Sequence, residues 1–202
     1  MKTLVTAEDV RAVPHGGELA AAPGAVVTAW AREIAASRGV RIVEDGRPAA
    51  EGPLVVAVGA DHGGFALKEA VKAHLTRLGY RFHDLGTHST DPVDYPDVAL
   101  AVAKAVRAGD ARIGILVDGA GIGSAMAANK VPGVRAALCV DEAAARNARE
   151  HNDANVLTLG AKTTDATRMM AIVEVFLTTH CTEERHARRV GKITAIEKAF
   201  LR

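Results

Sequence analysis

Aromatic residues make up only 3% of this 202-residue chain, too few for the stacked rings on which single-stranded nucleic acids bind. An excess of one charge is also missing. Lys and Arg total 25 against 24 Asp and Glu, which predicts no nonspecific attraction to nucleic acid or to an anionic membrane. Cysteine is scarce: Cys139 and Cys181 are far apart and form no C-x-x-C pair. Neither a disulfide framework nor a zinc knuckle is expected, and a reduced cytoplasm is the expected compartment. Cys139 lies in the apolar run VRAALCV, where a buried, inert thiol is expected. No apolar run approaches the ~18 residues of a membrane span. Charges appear at once in MKTLVTAEDVR, which predicts no signal peptide.

What the chain does have is 49% hydrophobic residues, enough for one core and a small appendage. Residues 1–43 read as a separate N-terminal extension. In it, TAED has a capping-box shape with Asp9 where Glu is usual, AAAPGA reads as a breaker, and TAWAREIAASRG reads as a helix capped by Thr28 and stopped by Gly39. VRIV is a short strand. Residues 44–53, EDGRPAAEGP, read as a linker. From residue 54 to 202 the pattern changes. LVVAVGA, YRFHDLG, RIGILV, VRAALCV and NVLTLG read as strands, and helical stretches separate and follow them. The expected fold is α/β, with a five-stranded parallel sheet, helices on both faces and ligands beyond the carboxyl ends of the strands.

Three loops carry candidate chemistry. GADHGG places Asp61 and His62 before a helix, and GILVDGAGIGSAMAANK places Asp118 at the mouth of a glycine turn. REHNDANV offers His151, Asn152 and Asn155, but at the amino end of its strand, so a second copy of the chain is needed to bring it to the same cleft. Gly119, Gly121 and Gly123 let backbone N–H groups approach a ligand and stabilise an anion. A carboxylate among such donors suggests a base whose product is an anion; the plainer alternative is a loop hydrogen-bonder. A dinucleotide fingerprint fits poorly. Its third glycine is Ser124 and the loop follows the third strand, although Asp141 stands where an acid is wanted. Arg185 and Arg189, four apart on one helix face, read either as a solvated face or as a phosphate clamp. No cluster has metal-ligand spacing, and no cofactor is expected.

Taken together, VAVGADHGGFALK, DLGTHSTDPVDYPDVA, GIGSAMAANKVPGVRAAL, REHNDANVLTLGA and RHARRV resemble the type B ribose-5-phosphate isomerases and the subunits of galactose-6-phosphate isomerase. The resemblance spans about residues 54–198. It implies a flavodoxin-like core, a homodimer or tetramer with shared active sites, a small sugar phosphate as substrate and a cis-enediolate intermediate. By position, Asp61, His62 and Tyr95 line the sugar site, and Gly119, Gly121, Gly123 and Ser124 belong to the loop that holds the enediolate. His151 opens the sugar ring and Asn152 contacts hydroxyls, both from the partner subunit. Arg185, Arg189 and Lys162 bind phosphate, Lys162 standing where the family has arginine.

The departures fall on the base. One branch of the family has a catalytic cysteine at the position of Asp118, another a glutamate at that of Ser124, and Ala120 replaces a usual hydroxyl residue. Asp118 followed by GSxM is similar to one galactose-6-phosphate isomerase subunit. Asp118 is therefore the expected base, with a sugar-phosphate binder that has lost catalysis as the alternative. Residues 1–43 resemble a short module attached to enzymes of bacterial microcompartment operons. That leaves two roles open, a packing extension or a segment directing the enzyme to a shell or cargo.

Overall fold

The computed structural model describes residues 2–44 and 54–201. They belong to two compact units, Met1–Gly52 and Pro53–Arg202. Of the expected linker, Glu44 ends a strand and 45–53 lie outside the described residues.

The first unit is a three-stranded parallel sheet, β1 (Lys2–Val5), β2 (Glu18–Val27) and β3 (Arg41–Glu44), in that order, with helices α1 (Ala7–Arg11) and α2 (Ala29–Arg38). Both caps follow the sequence. The Asp9 carboxylate accepts the Thr6 N–H at 2.9 Å and the Thr6 hydroxyl at 3.0 Å, and Thr28 Oγ1 accepts the Ala31 N–H at 3.2 Å. Gly39 leaves α2 in the left-handed region at φ 62°. AAAPGA is not a breaker. Strand β2 runs through it, and the irregularity appears as a slip in register, from Lys2 opposite Ala21 to Leu4 opposite Val26. Proline has no ladder N–H and Gly24 sits at φ 69°, so the strand bulges there and then resumes. The unit buries its own core of Val5, Val10, Ala21, Ala31, Ala35 and Val40.

The second unit is the expected parallel α/β layer structure. Its strands are β4 (Val55–Ala60), β5 (Arg81–Asp84), β6 (Ile113–Asp118), β7 (Ala136–Leu138) and β8 (Val156–Gly160). Its helices are α3 (Phe65–Arg77), α4 (Tyr95–Ala108), α5 (Ile122–Ala128), α6 (Glu142–Asn152), α7 (Ala166–Thr178) and α8 (Glu184–Phe200). The two-residue period of a strand sends alternate side chains to opposite faces. Val56, Val58, Ile113, Ile115, Val117, Leu157 and Leu159 meet α3, α6 and α7 on one face, while Ala57, Leu116 and Val156 meet α4 and α5 on the other. Cys139 is buried in the first of these cores, and burial pushes its thiol up to about 12, which keeps it inert as expected.

The sheet order is β5-β4-β6-β8-β7. Counted within this unit it is 2-1-3-5-4, so the last two strands are exchanged relative to the 2-1-3-4-5 order of flavodoxin. Two consequences position the site. The strand order reverses between β4 and β6, the switch point at which such sheets offer a crevice beyond the carboxyl ends. The last strand, β8, lies directly against β6, with Asp118 opposite Gly160.

Candidate active site

The crevice is built from three strand ends and the start of α4. After β4, Asp61 Oδ1 accepts the Gly64 N–H at 2.8 Å, capping the entry to α3, and exposed His62 accepts the Val93 N–H on Nδ1 at 3.3 Å. Gly64 packs against the Val117 carbonyl so closely that a Cβ would collide with backbone, which locks this loop to the end of β6. Tyr95 begins α4, where Pro96 suits the first turn. Its ring lies over Gly123, at which a Cβ would come within 2.6 Å of it. After β8, the Lys162 N–H donates to the Gly119 carbonyl at 3.0 Å. Lys162 thus stands at the glycine turn.

Asp118 ends β6 and is 5% exposed. Its carboxylate accepts the N–H groups of Ala120 at 2.8 Å, of Gly121, and of Ser124 at 3.0 Å. Burial pushes its pKa up, but the hydrogen bonds from Ser124, Gly121 and Ala120 outweigh this and hold it below the ordinary carboxylate value. Ser124 is 2% exposed and its N–H is committed to Asp118, so it shapes the turn from within. Among the described residues the N–H groups of Gly119, Ile122 and Gly123 have no partner. The turn divides its donors: one set organises around Asp118, and the other is left for a ligand.

The remaining candidates lie elsewhere in the chain. His151 and Asn152 end α6, on the amino side of β8, and Arg185 and Arg189 are exposed on α8. Gly114 pairs with Val156 and Asp118 with Gly160. The α6 turn is therefore about four strand residues, roughly 13 Å, from the level of the glycine turn, at the other end of the sheet.

Three side chains with a part in these arrangements were not singled out from sequence. Thr158, fully buried in β8, donates its hydroxyl to the Gly121 carbonyl at 2.8 Å and steadies the turn. His186 stacks on His151 with ring centroids 4.2 Å apart and planes 18° from parallel. Its two ring nitrogens are buried without a partner among the described residues. Loss of solvent, then the proximity of His151, Arg185 and Arg189, lowers its pKa. RHARRV displayed His186 between the arginines, but a lone histidine carries no signal without its neighbour. Lys68, fully buried, bonds Asp84 at 2.7 Å and the Thr87 carbonyl at 2.6 Å, anchoring the segment that leads to Tyr95. Asp141, the acid a dinucleotide site would need, caps α6 through the Ala144 N–H at 2.7 Å.

A parallel sheet with backbone donors at its switch point, walled by a tyrosine, a histidine and a lysine, defines a site for a small anionic ligand. Residues 56–193 match the model of the Ribose/Galactose Isomerase family. The chain is 43% identical over 138 residues to a putative sugar phosphate isomerase of Rickettsia bellii, covering 68% of this chain and 96% of that protein. It is 42% identical over 143 residues to ribose-5-phosphate isomerase B of Escherichia coli, covering 71% and 96%. Among solved structures it is similar to ribose-5-phosphate isomerase B of Clostridium thermocellum, with a TM-score of 0.72, 45% identity and coverage of 73% of this chain and 100% of that one. The Mycoplasma genitalium isomerase B with bound ribulose-5-phosphate gives 0.69 and 40%, with coverage of 72% and 97%. The chain belongs to the ribose/galactose isomerase family.

Proposed function

We propose that this isomerase interconverts ribose 5-phosphate and ribulose 5-phosphate through a cis-enediolate. The observation that carries the reading is the divided glycine turn: a carboxylate at the end of β6, with unpartnered N–H groups on Gly119, Ile122 and Gly123 beside it. The likeness to enzymes named ribose-5-phosphate isomerase B supports the substrate. In the forward direction Asp118 takes the proton from C2 of the open-chain aldose, and the electron pair moves onto the C1 oxygen. Backbone donors hold that oxyanion. The C2 hydroxyl then gives up its proton as the C1 oxyanion takes one up, and Asp118 returns its proton to C1, leaving a carbonyl at C2 and a hydroxyl at C1. His151 of a second copy opens the ring, with Asn152 beside it on the sugar hydroxyls. Arg185 and Arg189 hold the phosphate, and Lys162 supplies charge at the turn. The unit of activity is a homodimer or a tetramer of such dimers.

One observation favours a second reading, a sugar-phosphate binder that has lost catalysis. Hydrogen bonds from the Ser124 side chain and from the Gly121, Ala120 and Ser124 N–H groups hold the Asp118 pKa down, which weakens it as a base. Turnover of ribose 5-phosphate by the purified protein, followed by formation of the ketose, decides. Binding without exchange would install the second reading.

Residues 1–43 are proposed as an interaction module for a microcompartment shell or cargo, the enzyme otherwise working in the cytoplasm. A self-contained core and the exposed Leu4, Val26 and Trp30 support this. Removal of residues 1–53 should leave turnover intact and abolish co-sedimentation with shells. Retained co-sedimentation would refute the module.

A further inference from the structure

A second concentration of positive charge lies away from the crevice, at the amino ends of the strands. A cavity of about 570 Å³ opens there, with Arg112, Arg135 and Arg149 on its walls and Ile113 and Leu177 among its apolar lining. Asp153 is the one carboxylate that lines it. Each guanidinium is used by the fold to a different degree. Arg149, 7% exposed, spends Nε on the carbonyls of Phe176 and Thr179, and Nη1 on Ala154 at 2.6 Å and Asp153 at 3.3 Å. Arg135 spends Nε and Nη2 on Asn152 and Asp153. Among the described residues Nη2 of Arg149, Nη1 of Arg135 and the whole side chain of Arg112 have no partner. The three are close enough for Arg135 and Arg112 to disfavour the charge on Arg149. Three positive groups against one negative leave two uncompensated charges around a cavity with apolar walls.

We propose that this cavity is a second anion site, which takes a compact organic phosphate bearing about two negative charges. Guanidinium forks suit phosphate oxygens, and the apolar walls suit a neutral body attached to them. Occupancy is linked to the turn after α6. Arg135 bonds the carbonyls of Asn152 and Asp153, and a bound anion competes with Asp153 for both Arg135 and Arg149.

Inorganic pyrophosphate is the probe, measured by calorimetry on the full chain carrying Arg189→Ala, which weakens the proposed sugar-phosphate clamp. Arg112 is the residue to change because its side chain makes no hydrogen bond or ion pair among the described residues. Arg112→Ala should weaken pyrophosphate about tenfold or more, the scale of a hydrogen bond to a charged group. Arg146→Ala, an exposed arginine on α6, should leave binding unchanged at equal net charge. Arg112→Gln repeats the test should the alanine variant fail to fold. Undetectable pyrophosphate binding in the Arg189→Ala protein, or equal loss with Arg112 and Arg146, would overturn the site. Neither result bears on isomerisation, which the ribose 5-phosphate assay of the unmodified enzyme tests separately.

Discussion

The carboxylate of Asp118 reaches across the whole glycine turn to accept the backbone N–H of Ser124 at 3.0 Å. That bond and those from Ala120 and Gly121 wrap the turn around a negative charge. Among the described residues they leave the donors of Gly119, Ile122 and Gly123 without a partner. The same residue can thus shape the anion site and act as its base.

Asp118→Asn tests the base, while leaving one oxygen to accept from the turn. It keeps the size of the side chain and removes the proton acceptor. A fall in kcat of at least ~10²-fold, with KM little changed, is expected from loss of a general base. Wild-type turnover in the Asn variant, measured with ribose 5-phosphate, would leave Asp118 as scaffold alone.

The sheet geometry predicts activity in trans. His151 and Asp118 lie toward opposite ends of the sheet in one chain. Mixing inactive His151→Ala and Asp118→Asn chains should therefore restore activity as heterodimers form. No recovery after subunit exchange, verified by native mass spectrometry, counts against a shared site.

Arg185 and Arg189 are exposed, and Arg185 has only a loose contact with Glu183 at 3.7 Å. Replacing either by Ala should cost little stability and weaken substrate binding by roughly 1.5–3 kcal/mol, as for hydrogen bonds to charged groups. Steady-state KM for both variants checks this, and unchanged values would refute the clamp.

Acid should unfold the second unit through Asp84. Burial raises its pKa, but hydrogen bonds from Lys68, Lys72 and the Gly86 N–H lower it to about 2 from 3.8. A depressed folded-state value means that the stabilisation is complete above the unfolded pKa and is lost as pH falls through the folded one. About 2 kcal/mol should disappear between roughly pH 4 and pH 2. Asp118 shifts in the same direction and adds to the loss. Urea midpoints across this range test it, and the slope should flatten in Asp84→Asn.

Much of the second unit was legible in the chain because its signals are local. Apolar runs of strand length, amphipathic helices between them and Gly79 and Gly109 in the left-handed region at helix ends need no knowledge of distant residues. Thr28 and Asp9 reveal their caps for the same reason. The first unit's sheet was missed. Strand β1 is four residues long, and β2 contains a proline and a glycine that signal a turn; pairing with β1 and β3 overrides them.

By itself the sequence determined the alternation of elements, the loops at the strand ends and the chemistry those loops offer, since spacing along the chain dictates each of them. Only the tertiary structure decided how they meet. Strand order put β8 beside β6 and so brought Lys162 to the glycine turn, while His151, Asn152 and the two arginines went elsewhere. Backbone hydrogen bonding decided what Asp118 does in the free site. A carboxylate's proton affinity depends on which N–H groups point at it, and the chain's folding in three dimensions sets that.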